Sequence, residues 1–492
     1  MKRFLIITMV AGALAAQAQK FEVVTSTDGN YFQQSKASLS GSPKGKLVEA
    51  VTDAPEFQHW GMTFNELDWD ALQMLPAEAQ AEVAANIFAP DGQLRMTMGR
   101  ISPGANDYAR SWYSCDEVPG DFELRYFNID RDKEAIIPFI HLAQTFCPEM
   151  EFWISPWSPP SWMKINHDYP VLSSEYNRQD PRQDYMLYGN DGRDVDPDEM
   201  KLTGPRDGQF PKRLATTDYF IQDPRYLSAY AQYFCRFIDA YQAEGIPVKR
   251  VMYQNEAYSY TPYPGCAWTA PSIIRFNRDY LAPALRASHP EVELWLGTFN
   301  TNRLDHVEQL TADAGLMQAV SGMGFQWEGR DILPTIRQAN PEIGYMCSES
   351  ECGWGSFDWA GAEHTFELIN HYLGNGCNRY NFWNVILTDS GESPWGWKQN
   401  ALIRVDSATG QHTYTPEYYA VRHYAQYVPQ GSRVVGRLAG NVPVTSFDTP
   451  NGKVVVAANL TDEKTQVSVP MGKRYLNLTL APHSFLTASE RP

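Results

Sequence analysis

Apolar positions in the middle of the chain follow two alternating patterns. Short apolar runs, which predict buried strands, are separated by longer segments whose apolar residues recur every three or four positions, as in Phe366, Ile369 and Leu373. The helical segments include Asp68–Phe88, Asp130–Phe146, Pro224–Glu244, Pro271–Ser288, Asp358–Leu373 and Pro416–Tyr427. The predicted strands are Phe57–Phe64, Leu94–Ser102, Glu151–Ser158, Arg250–Glu256, Glu293–Asn300, Gly322–Glu328, Ile343–Glu349 and Arg379–Leu387.

Eight such strand–helix alternations over about 370 residues favour an α/β fold of the (β/α)8 TIM-barrel type, whose active site lies at the carboxyl ends of the strands. We place this barrel at residues 51–430. A doubly wound open sheet is the alternative, but no glycine-rich phosphate loop follows the first predicted strand.

Both ends of the chain show alternating polar and apolar positions instead, with no long helical segment. Tyr475–Leu480 is one such run, and Asn451-Gly452 is a turn signal between two others. We therefore predict a side β-sandwich built from both chain ends, in which one or two strands from residues 19–50 join those of residues 431–492.

Residues 1–18 have the features of an export signal. Lys2 and Arg3 precede the apolar stretch Phe4–Ala16, and Ala16-Gln17-Ala18 is a small-residue cleavage site. The apolar stretch is too short to span a bilayer, and no later one is long enough. We expect a soluble exported protein, periplasmic or extracellular, without a transmembrane segment.

Charge and cysteine usage narrow the possible partners. The formal net charge of −17 disfavours binding to nucleic acid or to anionic membranes. The seven cysteines form no CxxC pair, and no histidine lies beside them at ligand spacing, so we expect no metal, no cofactor and at most one disulfide. The 14 Trp, 27 Tyr and 23 Phe suit stacking on sugar rings, although a large core also uses aromatic side chains.

Two glutamates at strand ends carry the most chemical information. Glu256 ends the fourth predicted strand, and Glu349 ends the seventh, 93 positions later. Solvation explains one strand-end glutamate, but two of them at one face of a barrel form the walls of a pocket. Paired carboxylates across a cleft hydrolyse glycosidic bonds, and retention of configuration predicts a carboxyl separation of roughly 5–5.5 Å. No Gly-x-Ser-x-Gly, phosphate-loop or HExxH motif indicates another enzyme class.

The second carboxylate has a rival in Glu351. Period-two alternation puts Glu349 and Glu351 on the same side if the strand continues, whereas Gly353 and Gly355 indicate that it ends earlier. The spacing favours Glu349 and leaves Glu351 open.

Polar and aromatic residues at the strand ends are candidate sugar contacts. Asn255 can hydrogen-bond a hydroxyl beside the scissile bond, and Arg100 can hold a carboxylate. Prolines in one turn can present Trp157 and Trp162 as flat walls. Ordinary packing or a structural salt bridge is the alternative for each. The candidate contacts are Arg100, Asp107, Trp157, Asn255, Gln326, Trp327, Trp383, Asn384 and Trp395.

Two loops are expected to line the pocket rim. Trp395 and Trp397 lie in a Gly/Pro-rich loop, where exposed aromatic side chains indicate binding. The insertion Ile165–Asp218 is long and contains several aromatic residues, which favours an ordered loop that narrows the cleft. Those aromatic residues are Tyr169, Tyr176, Tyr185, Tyr188 and Phe210.

Taken together, these residues resemble glycoside hydrolase family 30, the glucosylceramidase-like enzymes, over nearly the whole mature chain. The most specific motifs are Ser155–Lys164 (SPWSPPSWMK), Gln254-Asn255-Glu256, Ser348-Glu349 with Gly353 four positions later, and Trp383-Asn384. The resemblance implies that Glu256 is the acid/base, that Glu349 rather than Glu351 is the nucleophile, and that no metal is needed. The sugar contacts it implies are Arg100, Asp107, Trp157, Asn255 and Trp383.

Departures from the family pattern bear on the substrate. The glucosylceramidase branch has His-Trp-Tyr on the sixth strand, where this chain has Gln326-Trp327-Glu328. The first strand lacks the usual glycines, and Ile165–Asp218 is longer than in the lipid-acting members. The family acts on glucosylceramide, β-1,6-glucan, β-xylan and β-fucosides.

The sequence thus predicts an exported retaining β-glycosidase that hydrolyses β-linked glucosides or glucans through a covalent glycosyl-enzyme. Its partner is an oligosaccharide, polysaccharide or glycoside substrate, attacked at or near the non-reducing end. A glycosidase that acts on glucosylceramide, β-xylosides or β-fucosides is one alternative. A catalytically weak carbohydrate-binding protein of the same fold is a second. A structural surface protein is another, disfavoured by the aromatic residues at the strand ends.

Overall fold

The computed structural model describes residues 20–180 and 218–490. The export signal predicted at residues 1–18 and most of the insertion Ile165–Asp218 lie outside these ranges, so both predictions stay open. The first strands of the chain are β1 (Phe21–Thr27), β2 (Asn30–Ser35), β3 (Ser38–Ser40), β4 (Lys46–Leu47) and β5 (Glu49–Ala50).

Eight parallel strands then close into a barrel, which confirms the predicted TIM-barrel fold. Their residues are almost all buried, as expected for parallel strands that are covered on both faces. The strands are β6 (His59–Thr63), β7 (Met98–Ile101), β8 (Glu151–Ile154), β9 (Val248–Met252), β10 (Glu293–Phe299), β11 (Gly322–Gln326), β12 (Gly344–Glu349) and β13 (Arg379–Phe382).

The last predicted barrel strand, Arg379–Leu387, is shorter in the structure. It ends at Phe382, and the remainder starts a small three-stranded sheet above the barrel that the apolar pattern did not reveal. This sheet consists of β14 (Ile386–Thr388), β15 (Ile403–Asp406) and β16 (Gln411–Tyr414).

Eleven α-helices within the described residues surround the barrel and connect its strands. The predicted single helix Asp68–Phe88 is wrong, because Pro76 lacks the N–H that a continuous helix needs and separates two helices. The helices are α1 (Glu66–Gln73), α2 (Ala77–Phe88), α3 (Ile136–Phe146), α4 (Pro224–Ala243), α5 (Ala270–Phe276), α6 (Ala282–Ser288), α7 (Leu304–Thr311), α8 (Ala314–Met317), α9 (Leu333–Ala339), α10 (Trp359–Gly374) and α11 (Pro416–Ala425). None of these helices is long and apolar enough to cross a membrane.

The predicted β-sandwich is formed by both chain ends, but five N-terminal strands, β1–β5, join it instead of the one or two expected. Its C-terminal strands are β17 (Arg433–Leu438), β18 (Val444–Thr449), β19 (Gly452–Asn459), β20 (Thr465–Met471), β21 (Arg474–Leu480) and β22 (Ser484–Glu490). One sheet has the order β2-β1-β22-β19-β18-β17-β5, and the other has β3-β21-β20-β4. Val23, Val455 and Leu478 belong to the apolar layer between them.

A buried histidine joins the sandwich to the last helix of the barrel. The ring of His423 on α11 forms hydrogen bonds of 2.8 Å with the hydroxyl groups of Ser26 on β1 and Thr487 on β22. Burial, with a smaller contribution from the Arg422 charge, lowers the pKa of His423 to about 3. The neutral imidazole is therefore the form that holds the two domains together.

We expect this histidine to make folding stability depend on pH. The pKa of His423 is lower in the folded chain than the ordinary value of about 6.5. Its contribution to the free energy of unfolding is therefore fully present above pH 6.5 and is lost as the pH falls toward 3. Between pH 7 and pH 5 the loss is about 2 kcal/mol. Thermal unfolding of the wild type and of His423→Asn should show a flatter acid dependence in the variant. Equal slopes would contradict this assignment, and His412→Asn, at a half-buried position on the hairpin β15–β16, is the control.

Candidate active site

Arg100, at the end of β7, connects the two predicted catalytic regions. Its Nη1 donates a hydrogen bond of 2.5 Å to Oε2 of Glu349, and its Nη2 donates one of 2.7 Å to Oδ1 of Asn255. Glu349 ends β12, whereas Asn255 and Glu256 lie on the loop after β9. The two glutamates are only 5% and 4% exposed, and Arg100 is fully buried. The sequence prediction that these residues meet at the barrel mouth agrees with this arrangement.

The guanidinium of Arg100 lies among aromatic rings as well as hydrogen-bond acceptors. Its central carbon is 4.2 Å from the ring centre of Trp157, 4.9 Å from that of Trp153 and 5.6 Å from that of Trp383. Such cation–π contacts gain strength away from water. Burial lowers the pKa of Arg100, and the carboxylate of Glu349 opposes that shift. The arginine therefore stays charged and balances the charge of Glu349.

The side-chain amide of Asn255 has a fixed orientation. Its Oδ1 accepts hydrogen bonds from Arg100 at 2.7 Å, from the Thr298 hydroxyl at 2.9 Å and from Nε2 of Gln326 at 3.2 Å. Three donors on the oxygen place the Nδ2 group on the opposite side. The Nδ2 group therefore points away from these three residues. It can donate a hydrogen bond to another acceptor, such as a sugar hydroxyl.

Neutral donors hold the carboxylate of Glu256. Nε2 of Gln326 donates to Oε1 at 2.7 Å, and the Ser259 hydroxyl donates to Oε2 at 2.9 Å. The backbone of Glu256 has a φ of +49°, a left-handed conformation that costs a non-glycine residue of order 1 kcal/mol or more. A hydrogen bond of 3.2 Å from its N–H to the Thr298 hydroxyl helps to hold this conformation. Strain of this kind is typical of functional sites.

The structure distinguishes Glu349 from its rival Glu351. Oε1 of Glu349 accepts a hydrogen bond of 3.1 Å from the indole of Trp327, in addition to the bond from Arg100. Glu351 instead pairs with Arg330 and with His364, both at 2.7 Å. Glu351 is therefore occupied in a separate ion-pair cluster on the loop after β12, and only Glu349 belongs to the Arg100 network.

Three further predicted contacts lie close to this network. Trp157 and Trp383 stack with ring centres 5.0 Å apart and planes inclined by 25°. Asp107 is 5% exposed and acts electrostatically on Arg100. These residues extend the acidic and aromatic surroundings of the arginine.

Four other predicted residues are placed differently. Asn384 accepts a hydrogen bond from Asn65 and donates one to Gln399, so it belongs to a buried amide chain beside the site. Trp395 is only 2% exposed because it packs on Trp112, so its expected exposure is wrong. Trp162 is also buried, against Phe122 and Tyr226, and forms no wall with Trp157. Trp397, expected in the same exposed loop as Trp395, is 1% exposed.

Thr298 and Ser259 are site residues that the sequence reasoning missed. Thr298 lies on β10, one position before the end of that strand, which is the signal that could have identified it. Ser259 lies in a loop without a recognisable pattern, and its hydroxyl also accepts a hydrogen bond from Asn300. Both residues act by orienting Asn255 and Glu256.

The cysteines do not form the single disulfide that the sequence allowed. All seven lie within the described residues as free thiols, and six are buried. In those ranges no group of three His, Cys, Asp or Glu side chains is arranged to hold a metal ion.

Comparison with known proteins finds relatives that align along most of this chain. A protein of Caenorhabditis elegans called putative glucosylceramidase 3 is 25% identical over 431 residues, covering 81% of this chain and 73% of the relative. The endo-1,6-β-D-glucanase of Neurospora crassa is 23% identical over 497 residues, covering 94% of this chain and 91% of the relative.

Solved structures show the same fold. SrfJ from Salmonella typhimurium superposes with a TM-score of 0.79 at 19% identity, covering 96% of this chain and 99% of that chain. An endo-β1,6-glucanase superposes with a TM-score of 0.75 at 18% identity, covering 96% of this chain and all of that chain. The sequence model of one protein family, described as the glycosyl hydrolase family 30 TIM-barrel domain, matches residues 57–179 and 220–428, most of the chain. The chain therefore belongs to glycosyl hydrolase family 30.

Proposed function

We propose that this glycoside hydrolase is a retaining β-glycosidase in which Glu349 is the nucleophile and Glu256 the acid/base. One observation carries the proposal: Arg100 donates at the same time to Glu349 and to Asn255, the residue before Glu256. This arrangement supports a short separation between the two carboxyl groups, and a retaining mechanism needs roughly 5–5.5 Å.

In the first step the Glu349 carboxylate attacks the anomeric carbon as the bond to the leaving oxygen breaks. The proton of Glu256 passes to that oxygen, and a covalent glycosyl-enzyme remains. In the second step Glu256 takes a proton from water, whose oxygen attacks the anomeric carbon and releases the Glu349 carboxylate. Arg100 and Trp327 orient the nucleophile, while Gln326 and Ser259 orient the acid/base.

We infer a β-linked glucan or soluble glucoside as the substrate of an exported enzyme. The name of one relative that aligns along 94% of this chain, endo-1,6-β-D-glucanase, supports the glucan. The charged residues Asp168, Arg178 and Asp180 in the first part of the insertion suit hydroxyl groups better than a lipid tail. Glucosylceramide is the second candidate, because other relatives are named glucosylceramidases.

The first test is a substrate panel with product analysis. We expect hydrolysis of β-1,6-glucan, of short β-1,6-gluco-oligosaccharides or of aryl β-glucosides, with the β-anomer as the first product because two displacements restore the configuration. Proton NMR during the first minutes measures the anomer. An α-product would exclude the double displacement, and turnover of glucosylceramide or β-xylan alone would exclude the glucan proposal. No turnover of any panel member would favour the binding protein.

The second test separates the two neighbouring glutamates. Glu349→Gln should lower kcat by roughly 10⁴-fold or more, whereas the matched control Glu351→Gln should keep substantial activity. Circular dichroism checks folding, because the amide of Glu349→Gln leaves the buried charge of Arg100 less compensated. Azide added to Glu349→Gly should restore turnover and give an α-glycosyl azide. An inactive Glu351→Gln beside an active Glu349→Gln would reverse the assignment.

The third test asks whether Gln326 acts through the acid/base. Gln326→Ala removes the 2.7 Å hydrogen bond to Oε1 of Glu256. We expect kcat/KM to fall about tenfold for substrates with poor leaving groups, which need protonation, and little for dinitrophenyl glycosides, which do not. An equal loss on both classes would mean that Gln326 only supports the fold. Ser348→Ala, which removes the hydroxyl that donates to Gln326, should lose less activity.

A further inference from the structure

Trp354 stands out because it is a large apolar side chain left in water close in the chain to Glu349. It is 68% exposed and lies five positions after Glu349, on the loop that follows β12. Its neighbours Gly353 and Gly355 have φ values of +59° and +80°, which a side chain would disfavour. The backbone thus adopts a specific turn that presents the indole outward.

The loop that carries Trp354 is anchored at both ends by one asparagine. The N–H of Asn400 donates to the carbonyl of Cys352 at 2.6 Å, and Oδ1 of Asn400 accepts from the N–H of Phe357 at 3.0 Å. Nδ2 of Asn400 in turn donates to the buried carboxyl group of Glu417 at 2.9 Å. An exposed ring on a fixed loop loses little conformational entropy when it binds a partner.

A second exposed aromatic side chain, Tyr176, lies against the turn 391–399, which Trp354 also contacts. The ring of Trp354 packs edge-on against the buried Trp397, with ring centres 5.2 Å apart. Tyr176, 37% exposed, contacts Gly396 so closely that no side chain would fit there. We call Trp354, Tyr176 and the turn 391–399 between them the aromatic rim.

The aromatic rim also contains exposed charges. Lys398 and Glu392 form an ion pair of 3.4 Å on the turn, and both side chains are about half exposed. Flat apolar rings with polar groups beside them match the two surfaces of a pyranose, whose C–H face stacks on an indole while its hydroxyl groups form hydrogen bonds.

We propose that the aromatic rim binds a further sugar ring of the substrate, outside the position where the bond is cleaved. The inference rests on the proposed function, because it places an additional subsite along the cleft that Glu256 and Glu349 define. Trp354 supplies the stacking surface of this subsite. Tyr176 and Lys398 form its edge on the other side of the turn. The enzyme would then favour oligosaccharides over simple glucosides and over lipid-linked glucose.

The test measures binding to the inactive Glu349→Gln protein by calorimetry, with and without Trp354→Ala. The probes are a β-1,6-linked glucose disaccharide, the corresponding tetrasaccharide and octyl β-glucoside. We expect Trp354→Ala to weaken tetrasaccharide binding roughly three- to tenfold more than disaccharide binding, as loss of one aromatic contact predicts. Trp354→Phe should restore most of the difference. Tyr126→Ala, which removes another exposed ring, 61% exposed, is the control and should change neither value.

Each result decides the inference. An unchanged ratio of tetrasaccharide to disaccharide affinity would overturn the subsite while leaving the proposed function intact. A loss confined to octyl β-glucoside would also overturn it and assign the rim to an alkyl chain. If the wild-type protein neither hydrolyses these saccharides nor binds them as the inactive variant, the proposed substrate is wrong and the subsite falls with it.

Discussion

The charge of Arg100, buried without access to solvent, constrains the rest of the barrel mouth. A buried cation is tolerated only when anions, hydrogen-bond acceptors or aromatic faces replace water, and removing one partner of such a pair typically costs about 3–5 kcal/mol. Here those partners are the Glu349 carboxylate, the Asn255 amide and the face of Trp157. The geometry that the proposed mechanism needs is therefore also the geometry that keeps a buried charge satisfied.

An apolar layer separates these charged residues from a second group of charged residues at the opposite end of the barrel. At the amino ends of the strands Arg250 pairs with Glu151 at 2.8 Å and with Glu293 at 3.0 Å. Between the two layers the interior is filled by a cluster of large side chains: Met98, Trp153, Met252, Trp295 and Met346. An arginine thus pairs with carboxylates at both ends of the barrel, and Glu349 and Glu256 belong to the pairing at the carboxyl end.

The sequence predicted the elements well and the loops poorly, for a physical reason. Strand periodicity identifies which residue ends a buried strand, and that was sufficient to find Glu349 and to expect Arg100 beside it. Whether a loop residue such as Trp395 meets water depends on contacts between distant segments, here with Trp112, which no local pattern encodes. The choice between Glu349 and Glu351 was open for the same reason, because it depends on which of them Arg330 and His364 occupy.

Chemistry and substrate choice are separable in this architecture. The proposed nucleophile Glu349 ends β12 and the proposed acid/base Glu256 lies on the loop after β9, where the closed barrel constrains their spacing. The exposed Trp354 lies on the same chain segment as Glu349, but its position depends on Asn400 and on Glu417, whose pKa burial raises to about 7. Changes in the loop after β12 can therefore alter the rim while the contact between Arg100 and Glu349 is preserved. This separation of the proposed catalytic residues from the rim explains how members of one family can share a mechanism and act on different substrates.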